Sequence, residues 1–194
     1  MQEELFQKIT GVELQQETDR YTDLNTYIRC RNSLQKSYAN RRKWMCTAWD
    51  FYFLPTIPDC GETAQNEQFY VTIRENEQQP EIVLKKHSIM GRFISERSAG
   101  LTFQQFISLL RGSMEWIGEK SDVLLQEFAQ KWRLFRYQVC LIAESIRECY
   151  EIPERKVQLT LDLFVSTRMC EGFSLQEVAC YNNGSPARIC VKRY

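Results

Sequence analysis

One stretch of the chain alternates apolar and polar residues with a period of two. Its apolar members are Val157, Leu159, Leu161, Leu163 and Val165. Because successive side chains of a strand point to opposite faces, this spacing predicts a half-buried strand. Asp162 then falls on the polar face with Gln158 and Thr160. The chain is therefore expected to build a sheet.

Further strands are predicted both before and after this stretch in the sequence. Residues 43–54 are rich in aromatic residues on both alternating faces and are followed by Pro55, which indicates a central strand. Asn183-Gly184 is a strong signal for a two-residue hairpin turn. The remaining predicted strands cover residues 69–73, 82–84, 175–181 and 187–194.

Four helices are predicted from capping signals and apolar spacing. A short helix at 2–10 ends at Gly11, and a less regular pattern favours a helix over 19–38. Thr102 and Gln105 form a capping box at the start of a third helix. That helix is expected to bury Phe103, Phe106, Ile107, Leu110, Met114 and Ile117 before it ends at Gly118.

The fourth helix has the most regular apolar spacing in the sequence. From Ser121 to about Tyr150, apolar residues recur every three or four positions. Pro153 is expected to stop this helix. Its apolar residues are Leu124, Phe128, Trp132, Phe135, Val139, Ile142, Ile146 and Tyr150.

Together these elements predict an α+β fold. Residues 1–194 are expected to form a single domain, because this length suits one core. The predicted architecture is one or more antiparallel sheets of about six strands, packed against two to four helices. The approximate order of elements is ααβββααβββ, which is typical of helices packed on a sheet.

Composition excludes some classes of protein. The 25 cationic residues balance the 25 acidic ones, so only local patches can attract a charged ligand. The acidic N-terminus resembles no targeting signal, and no segment is apolar enough to span a bilayer. We therefore expect an intracellular protein, cytoplasmic or nuclear, without membrane attachment. Its eight cysteines are expected to be free thiols.

No metal or cofactor is expected from the motifs. Cys170, Cys180 and Cys190 are ten positions apart, whereas zinc sites usually contain a Cys-x₂₋₄-Cys pair, which is missing. Phosphate-binding glycine loops are also missing. His87 is the single histidine, and Asp50 and Asp162 are carboxylates within otherwise apolar strands. None of these three has a flanking motif, so no catalytic residue is assigned.

The segment from Leu24 to Trp49 has no carboxylate and is rich in cations and aromatic rings. Such a mixture suits phosphate contacts and base stacking, although cations near a helix end also complement the helix dipole. A second basic cluster follows near His87. The candidate nucleic-acid or phosphate-binding residues are Arg29, Arg31, Lys36, Tyr38, Arg41, Arg42, Lys43, Trp44, Lys85 and Lys86.

Three functions remain open from the sequence. The first is a non-enzymatic interaction protein, a subunit, adaptor or inhibitor that presents this basic-aromatic surface to a protein partner. The alternative is a nucleic-acid-binding protein that uses residues 24–49. The second alternative is a hydrolase-type enzyme with a carboxylate or cysteine site.

Overall fold

The structure is a computed structural model of the 194-residue chain. It describes residues 7–8, 11, 13–14, 17–56, 66–77, 79–87, 93–119, 122–172 and 185–194. The strands in this part of the chain are β1 (Thr18–Thr22), β2 (Arg42–Pro55), β3 (Glu67–Arg74), β4 (Glu81–His87), β5 (Phe93–Gly100), β6 (Tyr137–Ile152), β7 (Val157–Met169) and β8 (Ala187–Arg193). The α-helices are α1 (Leu24–Ser37), α2 (Phe103–Leu110) and α3 (Val123–Phe135).

The eight strands form one antiparallel sheet in the order β1-β8-β7-β6-β2-β3-β4-β5. The predicted α+β class is confirmed, and three described helices fall within the expected two to four. The expected strand number of about six is wrong. Strands β1, β5 and β6 are not predicted. The first overlaps a weak helical pattern, the second contains few apolar residues, and the third falls within the helix predicted from Ser121 to about Tyr150. The expected single domain stays a prediction.

The described residues divide into two compact units. The first unit takes its residues from 1–47, 144–166 and 182–194, and the second from 48–143 and 167–181. Each unit has its own hydrophobic core.

In the first unit, α1 packs on β7 and β8. Tyr27, Cys30 and Leu34 of α1 share a core with apolar residues of the two strands, such as Leu159 and Ile189. The register pairs Leu161 with Ile189, so one face of both strands is apolar and the next residues along each strand face the other way. The period-two pattern of residues 157–165 therefore predicts β7 correctly.

The predicted helix over 19–38 begins too early. Residues Thr18–Thr22 are β1, which pairs with β8. The helix starts at Leu24 because the Asp23 side chain accepts a hydrogen bond from the Thr26 backbone amide at 2.9 Å. A carboxylate at this position satisfies an amide that the first turn leaves unpaired.

In the second unit, α2 and α3 cover one face of the β2–β5 strands. The capping box of Thr102 and Gln105 is confirmed. However, α2 ends at Leu110 and does not reach Ile117. Gly112 has a φ of 75° and marks this end. Phe106 and Leu109 are buried, whereas three of the residues expected in the core, Phe103, Ile107 and Leu110, are 44–48% exposed.

The predicted helix over 121–150 is wrong in its second half. Helix α3 ends at Phe135 and strand β6 begins at Tyr137. Arg136 joins them in the left-handed region, with φ of 50° and ψ of 69°. Apolar spacing of three and four residues continues through β6 because both faces of this strand are largely buried. A doubly buried strand can therefore imitate a helix in its sequence pattern.

Other predictions fall outside the described residues. These include most of the helix at 2–10, the strand at 175–181 and the Asn183-Gly184 turn. Gly11 is described, and it has a φ of 65° with its amide bonded to the Gln7 carbonyl, as expected for a helix end. No helix in the described ranges is long and apolar enough to cross a bilayer. The cellular compartment stays a prediction.

The core of the second unit depends on Phe128. Its ring contacts those of Phe53, Phe69, Trp132 and Tyr137, and none of its surface is exposed. We expect Phe128→Ala to lower the free energy of unfolding by about 3 to 5 kcal/mol, because a large cavity replaces the ring. Urea denaturation followed by circular dichroism measures this change.

The control is Leu134→Ala on the same helix, where the side chain is 66% exposed. This substitution should change stability by no more than about 0.5 kcal/mol. Equal losses in the two variants would contradict the assignment of Phe128 to the core.

The junction at Arg136 gives a second prediction. A left-handed residue is strained for a β-branched side chain and relaxed for glycine. We expect Arg136→Val to be less stable than Arg136→Gly by roughly 1 to 2 kcal/mol. Since the Arg136 side chain is exposed, loss of its own contacts is a small term. Matching urea midpoints for the two variants would contradict a left-handed junction.

Candidate functional site

The polar face of the first unit is buried. Asp162 lies on the face of β7 that points away from α1, and it is only 1% exposed. Arg188 on β8 pairs with Asp162 in the strand register and is 3% exposed. Arg147 on β6 is 6% exposed. Charged residues seldom lie this deep unless they are paired or bind a ligand.

Two arginines converge on the Asp162 carboxylate. Arg147 Nε donates to Oδ1 at 2.5 Å, and Arg188 donates to Oδ2 from Nε at 2.7 Å and from Nη2 at 2.5 Å. Asp19 of β1 lies at the edge of the group, with Oδ1 4.0 Å from Arg188 Nε. We call Arg147, Asp162 and Arg188 the arginine cluster.

The electrostatics of the arginine cluster favour an ionised Asp162. Burial alone would raise the pKa of this carboxyl, but the charges of Arg147 and Arg188 and their hydrogen bonds outweigh it. The pKa of Asp162 therefore lies well below its usual range. The carboxylate stays charged at neutral pH and holds both arginines in place.

The second unit also buries polar side chains on the sheet face opposite its helices. Lys85 of β4 is 2% exposed, with its Nζ 3.5 Å from Glu96 Oε2 and 5.6 Å from the centre of the Tyr70 ring. Asp50 of β2 is 1% exposed and accepts a hydrogen bond from the Tyr52 hydroxyl at 3.4 Å. Strand β2 lies between β6 and β3, so Asp50 is not on an edge strand.

A second buried carboxylate lies on the α1 side of the first unit. Glu148 is fully buried and is paired with Arg31 and Arg42, and it accepts a hydrogen bond from the Tyr150 hydroxyl at 3.0 Å. Burial and the Glu148 charge raise the pKa of Tyr27 to about 12. This group ties α1 and the start of β2 to β6.

The structure places the basic residues of the 24–49 segment mostly against carboxylates. Beyond the Glu148 pairs, Arg41 is paired with Glu154, and Lys43 with Glu151 at 2.5 Å. Arg29 and Lys36 are exposed on α1, and Arg29 donates to the Thr26 hydroxyl. Tyr38 packs on the core of the first unit, and Trp44 is half-buried on β2.

The second basic cluster lies in the other unit. Lys85 belongs to the buried polar face, while Lys86 is paired with Glu67 at 2.9 Å and with Glu127 at 3.2 Å. Arg97 and Lys131 complete the group around Glu127. Ion pairs thus hold most of the candidate binding residues. Their role in binding an external ligand stays a prediction.

Sequence reasoning misses both arginines of the arginine cluster. Arg147 lies in the region predicted as a helix, so its strand face could not be assigned. Arg188 follows the Asn183-Gly184 signal, and its pairing with Asp162 becomes visible only in the register of β7 and β8. The available signal is the charged residue at position 162 on a strand that is otherwise apolar.

Cysteine and metal chemistry have little support in the described part of the chain. Six cysteines are free there, and burial raises the pKa of Cys30 to about 12, which keeps it as an unreactive thiol. No group of three or more His, Cys, Asp or Glu side chains able to hold a metal ion occurs among these residues.

Comparisons identify the fold. No protein-family model and no curated protein matches the chain. Solved structures do match: HpAC1 from Hippeastrum, described as a candidate adenylyl cyclase with a dominant triphosphatase activity, has a TM-score of 0.55. Identity is 13%, over 91% of this chain and 78% of that one. The chain shares this fold.

A second solved structure supports the same conclusion. A candidate adenylate cyclase from Bacillus halodurans has a TM-score of 0.52 at 12% identity, covering 90% of this chain and 78% of its own. Both of these proteins are named for enzyme activities. This finding corrects the interpretation of the chain as a non-enzymatic interaction protein with a basic-aromatic surface, because the solved structures that share its fold are named for enzyme activities.

The depressed pKa of Asp162 predicts acid sensitivity. Because the folded-state pKa lies below the unfolded value of about 3.9, the stabilisation is full above that value and is lost as pH falls towards the folded pKa. We expect Asp162→Asn to lower stability at pH 7 by about 3 to 5 kcal/mol, since two buried guanidinium groups lose their counterion. Urea midpoints measured from pH 7 to pH 3 test this.

Below about pH 4 the difference between the wild type and Asp162→Asn should narrow, because the Asp162 carboxyl of the unfolded wild type then takes up a proton while that of the folded protein stays ionised. Glu171→Gln, which alters an exposed carboxylate, is the control and should follow the wild-type curve. A constant difference across the whole range would show that Asp162 does not titrate as described.

Proposed function

We propose that this protein is an enzyme that cleaves a phosphoanhydride bond of a triphosphate. In the reaction, water attacks the terminal phosphorus of inorganic triphosphate or of a nucleoside triphosphate. The bond to the bridging oxygen breaks, and inorganic phosphate leaves together with the diphosphate-containing product. The arginine cluster binds the phosphate oxygens.

The arginine cluster carries this proposal. Guanidinium groups are planar, always charged and suited to two-point contacts with phosphate. Here Arg147 and Arg188 are held in fixed positions by the Asp162 carboxylate and are buried from water. Preorganised positive charge in a water-poor environment stabilises the charge on a transferring phosphoryl group.

The demands of phosphoryl transfer agree with such a site. Catalysis of this reaction depends mainly on positioning and on electrostatic stabilisation, with little covalent chemistry for the protein. A missing nucleophile motif is therefore no obstacle. The fold that the chain shares with HpAC1, whose dominant activity is that of a triphosphatase, adds independent support.

Phosphate release from inorganic triphosphate, ATP and GTP tests the proposal. The purified chain is assayed with each substrate, and nucleotide products are separated by chromatography. We expect phosphate and a diphosphate product from at least one substrate. Arg147→Lys and Arg188→Lys should each lower kcat/KM by about 10- to 100-fold, because a lysine cannot reproduce the two-point contact.

Arg97→Lys is the matched control. This arginine is also ion-paired, to Glu127, but it lies on the helix side of the second unit. Its kcat/KM should stay within about twofold of the wild type, and circular dichroism confirms the folding of all variants. No phosphate release by folded wild-type protein, or release of a cyclic nucleotide in its place, would overturn the proposal.

A further inference from the structure

Two aromatic rings lie beside the arginine cluster in the first unit. Tyr21 of β1 and Phe164 of β7 are stacked, with ring centroids 6.1 Å apart and an angle of 29° between the ring planes. Both side chains are half-buried. We call these two residues the aromatic pair. Strand β8 lies between β1 and β7, so the two rings meet across the strand that carries Arg188.

The strand register places both rings on the polar face of the unit. Tyr21 pairs directly with Arg188, and Phe164 lies two residues beyond Asp162 on β7. Paired residues of neighbouring strands share a face of the sheet, as do residues two positions apart on one strand. The Cβ atoms of directly paired residues are about 5 Å apart, and those of diagonal neighbours about 7 Å. The aromatic pair is therefore an immediate neighbour of the arginine cluster.

A buried hydroxyl group lies on the same side of the arginine cluster as Phe164. Ser145 precedes Arg147 by two residues on β6 and shares its face of the strand. Strands β6 and β7 are joined by the short 3-10 helix Pro153–Arg155 and run antiparallel. Two residues back on β6 and two residues forward on β7 therefore lead in the same direction.

The Ser145 hydroxyl is available to a ligand. The side chain is 1% exposed, and its oxygen has no hydrogen-bond partner among the residues that the structure describes. A buried hydroxyl without a partner costs free energy, which a ligand that bonds to it offsets. An aromatic surface and an unused hydrogen-bonding group thus lie together next to two buried arginines.

Exposure increases from the arginines towards the aromatic pair. Arg147 and Arg188 are 6% and 3% exposed, whereas the aromatic pair is half-buried. Ser166, two residues beyond Phe164 on β7, is exposed. Pro186 is also exposed, and its carbonyl accepts a hydrogen bond from the Phe164 amide at 2.9 Å. A ligand that enters from this end places its charged part on the arginines and a flat apolar part on the rings.

We propose that the arginine cluster binds a nucleoside triphosphate whose base stacks on the aromatic pair. This inference rests on the proposed function, since it uses the same arginines for the phosphate groups. Aromatic side chains bind the flat face of a nucleobase, and such stacking accepts every base because each has a π-face. The Ser145 hydroxyl, which can donate and accept, bonds to a polar atom of the nucleoside. Inorganic triphosphate has no part that occupies the rings.

Hydrolysis of ATP, UTP and inorganic triphosphate by the wild type and by Phe164→Leu tests the proposal. We expect the wild type to have a higher kcat/KM for both nucleotides than for inorganic triphosphate. Phe164→Leu should lower kcat/KM for the nucleotides about tenfold, because leucine fills the space without a π-face. Its kcat/KM for inorganic triphosphate should stay within about twofold of the wild type.

Two variants are controls for the aromatic ring. Phe164→Tyr keeps the ring and should retain the preference for nucleotides. Phe51→Leu alters a half-buried ring of the second unit, which packs on Phe106, and should leave kcat/KM for every substrate within about twofold of the wild type. Circular dichroism and thermal unfolding of each variant show that a loss of activity does not come from a loss of fold.

Ser145→Ala separates a role in binding from a role in folding. Removal of a hydroxyl without a partner should leave the thermal midpoint unchanged or raise it. The same substitution should weaken binding of the non-hydrolysable analogue adenosine 5′-(β,γ-imido)triphosphate about fivefold, through the loss of one hydrogen bond. Isothermal titration calorimetry at constant ionic strength measures this affinity. A lower midpoint with an unchanged affinity would overturn the assignment of Ser145 to the ligand.

The outcomes distinguish this inference from the proposed function. Hydrolysis of inorganic triphosphate alone, or equal losses for all three substrates in Phe164→Leu, overturns the inference and leaves the proposed function in place. Binding of the imido analogue that weakens in Phe164→Leu, without hydrolysis of any substrate, supports the inference and overturns the proposed function. The absence of both binding and hydrolysis overturns both.

Discussion

The ionised carboxylate of Asp162 is the interaction on which the first unit depends. A charge buried this deeply costs several kcal/mol of desolvation, which a single partner seldom offsets. Arg147 and Arg188 approach it from the strands on its two sides, so the same contact that compensates the charge also connects β6, β7 and β8. Pairing of these three strands therefore buries the Asp162 charge and brings its two arginine partners to it at the same time. The polar face forms only when the strands are in this order.

Both units separate their polar and apolar side chains by the same means. Because side chains alternate along each strand, apolar residues face the helices and polar residues face the other way. The polar residues on that opposite face include Asp162 and Arg188 in the first unit and Lys85 and Glu96 in the second. A face that only had to meet water would need no buried ion pairs. Stability alone is a weak reason to keep such groups, because apolar residues of similar volume often serve as well. The proposed binding of phosphate groups by Arg147 and Arg188 would explain why the first unit keeps them.

The sequence predicts the parts of this fold that local patterns encode. The alternation at 157–165 and the Thr102 capping box are local, and both are confirmed. Local patterns do not predict the change from α3 to β6. Its left-handed residue is Arg136 and not a glycine, and β6 is largely buried on both faces, so its apolar spacing resembles that of a helix. The arginine cluster depends on strand register between residues far apart in the sequence. Its members could not be grouped until the neighbours of β7 were known.

The division of the chain between the two units also affects how the protein folds during synthesis. Each unit draws on separated stretches of sequence. Boundaries fall inside β2, between Thr47 and Ala48, inside β6, between Ala143 and Glu144, and inside β7, between Ser166 and Thr167. Strand β1 pairs with β8, near the other end of the sequence. No contiguous fragment contains one unit in full without residues of the other. A ribosome must therefore release nearly the whole chain before the first unit can close, and non-local pairing of this kind slows folding.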